Sequence, residues 1–329
     1  WTASKTNPKI PTPFLPQSTQ YDMQSKTIFI TSFHPLISRN ILSTKLVSNL
    51  TERGVRSVVL VPQKKLDFFK KEYANTGAIF EGVDFEIWWQ DKFLRYLSLA
   101  AIRTNSLKLK RSTEMTGSGA LLASVLGGNV LFQKFVRALS EYLTAHLFLQ
   151  KGGDLKIFFD KYHPDIVFVT DIQNEYDVGV AEEAHRRGIK VVGMVRSWDN
   201  LTTKGLVRVL PDRLLVQNEI AKEDAVRFHH IPPGLIEIIG IPHYDAYFHA
   251  LGNRASEAPK SGKKIALFAP TGDRYIKNNT VDRDVLNILD KLLDESWQIF
   301  VRLPPTDSVS FLDDRKSDGR FIFDRPGAS

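Results

Sequence analysis

The sequence predicts an α/β fold of two Rossmann-like doubly wound units, the second of them truncated. Apolar runs at 166–169 (IVFV) and 189–195 (IKVVGMV) read as strands covered on both faces. Between them Val178, Ala181, Ala184 and His185 recur at helical spacing, and Arg186, Arg187 and Gly188 close that helix. A strand–helix–strand unit of this length makes a parallel crossover, whose ligands sit at the carboxyl ends of the strands. A stretch at 251–263, rich in Gly, Ser, Pro, Ala and charge, then separates the first unit (26–250) from a second strand–helix pattern (264–329).

Taken in order, residues 1–25 are rich in Pro, Ser, Thr and Gln without periodicity and read as a flexible arm. The run 27–33 (TIFITSF) is a β-branched and aromatic strand, and His34-Pro35 follows it. Ile41, Leu42, Leu46, Val47 and Leu50 mark a helix ended by Gly54, and 55–61 is the second strand. No GxGxxG follows the first strand, which argues against an NAD-type half. A helix at 63–75 and a third strand at 78–89 come next. From 91 to 161 the pattern is helical and basic, with Arg95, Arg103, Lys108, Lys110 and Arg111 interleaved with Leu94, Leu97, Leu99, Ile102 and Leu107. This stretch reads either as a solvated face over the sheet or as an amphipathic surface that meets anionic lipid or an acidic acceptor. Strands at 214–216 and 236–239 flank a helix at 219–230 that Pro232-Pro233 stops. His229 and His230 close that helix, where its dipole favours imidazolium; no catalysis is assigned to them. The second unit shows strands at 264–268, 298–301 and 321–323 around a helix at 282–293, too few for a complete doubly wound domain.

Composition narrows the partners. The chain has 329 residues, 43% of them hydrophobic, enough for sizeable cores, and a formal net charge of +7, which favours anionic partners. Nucleic acid is set aside, because the basic residues are spread over helices and no recognised module is present. The absence of cysteine excludes a disulfide framework and thiolate metal sites, and fits a reducing cytosol. The eight histidines show no HxH or HExxH spacing, so no metal site is argued. No run approaches the roughly 18–20 apolar residues that span a bilayer. Residues 1–21 lack the apolar core of a signal peptide, and the chain opens on Trp1. We expect part of a longer, cytoplasmic protein, placed at most against the inner face of the membrane.

The chemistry-bearing residues collect at strand ends. Asp171 ends one strand, where it binds sugar hydroxyls, acts as a base, or caps the helix that follows. The loop 196–205 gathers Arg196, Ser197, Trp198, Asp199, Asn200, Thr202, Lys204 and Gly205, many donors around one flat apolar surface, which suits sugar or nucleotide recognition. The alternative is a plain turn anchored by Trp198. His34, at the same edge, serves as a general base on an acceptor hydroxyl or as a structural histidine. In the second unit Thr271, Gly272, Asp273 and Arg274 follow the first strand, and Arg302 follows the next; glycine lets backbone amides approach an anion, and arginine pairs with phosphate.

The segments SFHP (32–35), VTD (169–171), RSWDNLTTKG (196–205), VQN (216–218) and APTGDR (269–274) resemble those of the B-type glycosyltransferase architecture. More narrowly they resemble the group that contains CDP-glycerol glycerophosphotransferases and UDP-N-acetylglucosamine 2-epimerases. The resemblance implies a metal-independent transferase with no cofactor beyond its nucleotide-sugar or CDP-polyol donor. It also implies a carbohydrate or lipid-linked acceptor on the first unit. His34, Asp171 and Asp199 would then be catalytic. Arg196, Ser197, Trp198, Asn200, Thr202, Lys204 and Asn218 would bind substrate, and Thr271, Gly272, Asp273, Arg274 and Arg302 would hold the donor phosphates. Two other classes stay open: a sugar-nucleotide 2-epimerase or hydrolase, and a non-catalytic carbohydrate- or anion-binding module.

Overall fold

A computed structural model describes residues 26–34, 37–84, 89–108, 117–151, 153–247, 262–273, 279–304, 308–312 and 317–325. The arm at 1–25, most of the 251–263 stretch and Arg274 lie outside them. The chain divides into two compact units, 1–247 and 248–329.

The first unit runs β1 (Thr27–Thr31), α1 (Leu46–Glu52), β2 (Arg56–Pro62), α2 (Leu66–Glu72), β3 (Ile79–Val83) and α3 (Trp89–Ala100). It continues with α4 (Gly117–Leu126), α5 (Val130–Lys151), α6 (Gly153–Tyr162), β4 (Ile166–Val169), α7 (Glu175–Arg186) and β5 (Lys190–Met194). A single turn α8 (Asn200–Thr203), then β6 (Arg213–Val216), α9 (Glu219–His229) and β7 (Ile236–Ile238) complete it. The seven strands form one sheet in the order β3-β2-β1-β4-β5-β6-β7, every neighbouring pair parallel.

Side chains of a strand alternate between faces, and here each face has its own core. Phe29, Val58, Leu60, Val167, Val169 and Val191 pack on one side with Leu155 and Phe159 of α6, Val178, Ala181 and Ala184 of α7, and Ala221 and Ala225 of α9. Ile30, Val59, Val61, Phe168 and Met194 pack on the other with Ile37, Ile41, Val47 of α1 and Phe69 of α2. This double cover explains why β4 and β5 read as unbroken apolar runs. Phe29 meets Phe159 edge-on at 5.0 Å between ring centres, and its loss to alanine costs about 3–5 kcal/mol.

Three elements differ from their sequence patterns. The first helix is split: residues 38–42 make a π-helical turn, and α1 begins only at Leu46. The stretch at 78–89 is a strand only as far as Val83, and Trp89 starts a helix instead. In the basic stretch, Leu94, Leu97, Leu99, Ile102 and Leu107 are all buried. Leu97, Leu99, Ile102 and Leu107 join Val136 of α5 in a third core, and none of the five is turned outward. No helix of the described residues is long and apolar enough to cross a membrane.

The second unit contains β8 (Lys264–Phe268), α10 (Thr280–Leu292), β9 (Trp297–Arg302) and β10 (Phe321–Asp324). Its sheet is parallel, in the order β10-β9-β8, with Leu286 of α10 packed against Ile299, Val301 and Phe321.

Candidate functional site

The chain leaves β1 toward β2 and leaves β4 toward β5, so the junction of β1 and β4 is the topological switch point of the first sheet. Asp171 lies two residues beyond β4, Arg196 two beyond β5, and His34 three beyond β1. The fold therefore gathers residues from three separate strand ends.

Asp171 is 1% exposed and carries two cations on one oxygen. Arg196 Nη1 and Lys204 Nζ each approach Oδ2 at 3.1 Å, and Lys204 also reaches Oδ1 at 3.5 Å. Two positive charges against one negative leave the cluster with an excess positive charge that suits an anionic ligand group. Burial lowers the pKa of Lys204, Asp171 opposes that shift, and Arg196 adds to it. For His34 burial is again the largest cause of a lowered pKa, followed by Arg196, with Asp171 opposing. The imidazole is therefore neutral at neutral pH, the form that accepts a proton.

Behind this cluster lies an aspartate that the sequence reading passed over. Asp177, in the first turn of α7, is fully buried, and its Oδ1 accepts from the Thr31 hydroxyl and from the Asp171 amide at 3.2 Å. The Thr170 amide donates to Thr31 Oγ1 at 2.9 Å and the Thr170 hydroxyl donates to the Thr31 carbonyl at 2.7 Å, which locks the ends of β1 and β4 together. Burial first, and the charge of Asp171 second, push the Asp177 carboxyl up to about 8, so it is protonated at neutral pH. The helix itself is capped elsewhere: Asn174, not Asp171, accepts from the Tyr176 amide.

The 196–205 loop is held from several sides. Asp199 Oδ1 accepts from Ser197 Oγ at 2.6 Å, and its carbonyl accepts from the Thr202 and Thr203 hydroxyls at 3.0 and 2.8 Å. Asn200 and Leu201 are buried, whereas Trp198 is 70% exposed. Gly205 adopts φ +92°, and a Cβ there would sit 3.0 Å from the Ser98 backbone, so only glycine fits without strain. Gln173 Nε2 donates to the Gly205 carbonyl at 2.7 Å, and the Thr104 hydroxyl to the Thr202 carbonyl at 2.7 Å. His229 is not the imidazolium that the end of a helix favours. It is fully buried, its Nδ1 accepts from the Val207 amide at 3.1 Å, and its Nε2 donates to the Leu201 carbonyl at 2.8 Å. Burial lowers its pKa to about 3, and the ring is a neutral staple between α9 and the loop.

Beside the loop, at the ends of β5, β6 and β7, opens a cavity of about 180 Å³ whose lining includes Asn40, Arg196, Trp198, Gln217 and Tyr244. Asn40 Oδ1, Arg196 Nε and Gln217 Oε1 are buried with no hydrogen-bond partner among the described residues. Gln217 Nε2 meanwhile donates to the Val195 carbonyl, which fixes the amide. Unsatisfied buried groups around one cavity mark it as a place for a polar ligand. In the sequence Gln217 stands out only within the VQN segment, beside Asn218, and Asn40 carries no signal of its own. Asn218 itself caps α9, its Oδ1 accepting from the Ala221 amide at 2.9 Å.

In the second unit the amides of Thr271 and Gly272 point at an anion of the chain's own, Asp282 Oδ2, at 2.9 and 3.3 Å. The Asp273 carboxylate accepts from the Ser310 amide at 2.8 Å and from Asn279 Nδ2 at 3.1 Å, which holds its pKa below the usual range. Arg302 pairs with Asp324 on the neighbouring strand. Among the described residues no cluster of His, Asp or Glu could hold a metal ion.

No protein-family model and no curated protein sequence matches the chain. Solved structures do match. UDP-GlcNAc 2-epimerase from Neisseria meningitidis bound to UDP-GlcNAc superposes with a TM-score of 0.52 at 11% identity, over 92% of this chain and 72% of that one. MnaA of S. aureus, in a co-structure with UDP, gives 0.51 at 13% identity, over 92% and 68%. The fold is that of the B-type glycosyltransferases. A glycotransferase of kitacinnamycin also aligns, at 12% identity and a TM-score of 0.48, over 92% of this chain and 71% of that one. Within the B-type fold, the cluster of Asp171, Arg196 and Lys204 belongs to the carboxyl edge of the amino-terminal sheet.

Proposed function

We propose that this chain acts on a nucleotide-linked sugar or polyol and moves its glycosyl or polyol-phosphate group to a carbohydrate or lipid-linked acceptor. The observation that carries the reading is the Arg196–Asp171–Lys204 cluster, built from two strand ends at the switch point and bordering a cavity with orphaned polar atoms. Arg196 presents a buried Nε that has no partner among the described residues, and an anionic or hydroxylated ligand satisfies it. Neutral His34 at the same edge is placed to take a proton from an acceptor hydroxyl. Exposed Trp198 offers a face for a sugar or base. Asp199, bound to Ser197 and within 3.4 Å of Thr203 Oγ1, shapes the loop in this reading. Thr271, Gly272, Asp273, Arg274 and Arg302 remain our candidates for the donor phosphates.

The test is a panel of nucleotide diphosphate sugars and CDP-polyols, screened for thermal stabilisation of the wild type and of Arg196→Met. Stabilisation by at least one donor, lost in the variant, supports the reading. A panel without effect overturns it.

A second reading, a sugar-nucleotide 2-epimerase or hydrolase, is favoured by the match to an epimerase bound to UDP-GlcNAc. Incubation with UDP-GlcNAc alone separates the two. Epimerisation or hydrolysis without an acceptor selects the second, and turnover that requires an added glycan or lipid-linked acceptor selects the first.

A further inference from the structure

We propose that the hairpin formed by α4 and α5 docks this chain on an anionic lipid surface. The two helices are joined by a tight turn: Gly128 adopts φ +82°, and Asn129 Oδ1 accepts from the Leu131 and Phe132 amides at 2.9 and 3.1 Å. Around it the outward side chains are large and apolar. Leu121 and Val125 on α4 are 66% and 69% exposed, and Leu131, Phe135 and Tyr142 on α5 are 74%, 56% and 58% exposed. Their spacing of four and seven residues puts each set on one helix face. A patch of this kind is uncommon on a solvated surface.

The opposite side of α5 is fixed to the fold. Gln133 Nε2 donates to the carbonyls of Ala101 at 3.1 Å and Phe228 at 2.9 Å. Arg137 donates to the carbonyls of Val207 at 3.0 Å and His229 at 2.6 Å, and Ser140 donates to Glu182 at 2.8 Å. Every polar group along 133–140 with a bond of this kind turns inward, so the apolar side faces out by construction.

Charge selects the occupant. No Asp or Glu occurs from 117 to 140. Lys134 is exposed beside the apolar stripe, and exposed Arg103 lies beside the turn, its Cβ 3.7 Å from where a side chain on Gly128 would begin. Glu141, exposed beside Tyr142, borders the far end of the stripe, and the apolar residues around the turn, rimmed by Lys134 and Arg103, match an anionic headgroup layer over acyl chains. A second copy of the chain seated on the same face by a twofold axis would bring these cations toward their own equivalents.

The experiment is sedimentation with vesicles of phosphatidylglycerol and phosphatidylcholine in roughly equal parts, against phosphatidylcholine alone, with light scattering of the free chain in parallel. The wild type should pellet with the anionic vesicles and not with the neutral ones. Leu131→Asp/Phe135→Asp should abolish pelleting with an unchanged circular dichroism spectrum. Arg103→Glu/Lys134→Glu should weaken it at least about twentyfold, about fivefold for each cation lost near the surface. Failure to pellet with anionic vesicles overturns the proposal, as does wild-type pelleting by both variants. So does a dimer of the free chain that Leu131→Asp/Phe135→Asp dissociates, because a second copy then covers this face.

Discussion

Replacing Asp177 by asparagine should stabilise this protein, and increasingly so as pH rises. The carboxyl is fully buried and its pKa is raised from 3.8 to about 8. The folded chain therefore keeps a proton on Asp177 through neutral pH while the unfolded chain loses it, and folding takes up a proton. For a raised pKa, stability is fully present below 3.8 and is lost as pH climbs through about 8. A shift of about 4 units at about 1.4 kcal/mol each is on the order of 5 kcal/mol. Asparagine keeps an acceptor for the Thr31 hydroxyl and the Asp171 amide and takes up no proton. The variant should exceed the wild type by about 1–2 kcal/mol near pH 5 and by on the order of 5 kcal/mol near pH 8. Urea unfolding followed by tryptophan fluorescence reads this directly in a Trp297→Phe background, where the remaining tryptophans, Trp1, Trp88, Trp89 and Trp198, all belong to the first unit. Two stability curves that run parallel over this pH range would refute the reasoning.

The other expectations concern the same edge. Arg196→Met/Lys204→Met leaves Asp171 buried and unpaired and should cost about 3–5 kcal/mol, whereas adding Asp171→Leu should recover most of that loss in the same unfolding assay. His34→Ala should lower kcat about 10²–10⁴-fold. The wild-type rate should hold as pH falls to the ordinary imidazole value of 6.5 and decline only below it, since the His34 pKa is lowered. His229 contributes stability that is fully present above its unfolded value of 6.5 and is lost as pH falls toward about 3. His229→Ala should remove that acid slope, and it should cost about 1–3 kcal/mol at neutral pH by leaving the Val207 amide and Leu201 carbonyl unpaired, as equilibrium unfolding against pH will show.

Much of the fold was legible because the strands of the first sheet are covered on both faces, so that β4 and β5 appear in the sequence as plain apolar runs. The loop 196–205 was legible for a different reason, since so many donors in ten residues suit few structural purposes. What stayed hidden depends on long-range packing. Leu97 and Leu107 looked amphipathic among their basic neighbours, yet they pack in one core with Val136 of α5. The 78–89 stretch is rich in apolar and aromatic residues at both ends, and periodicity does not separate a strand that ends at Val83 from a helix that starts at Trp89. Asp177 is one acid among several in a polar helix start, and only the pairing of β1 with β4 puts Thr31 against it. His229 sits at a helix end, where the dipole argument for a charged ring is sound but is outweighed by complete burial.

The four ties on the 200–207 loop share a property with an evolutionary consequence. Gln173, Thr104, His229 and Arg137 meet carbonyls or an amide of Leu201, Thr202, Gly205 and Val207, main-chain atoms that every residue type carries. These ties from the surroundings therefore do not depend on which side chains the loop carries at 201, 202, 205 and 207. Exposed Trp198 can be exchanged on these ties, whereas Lys204, paired with Asp171, and the partners that hold the loop cannot. New substrate preferences in relatives of this chain should arise by substitution within the loop, on an anchorage that stays the same.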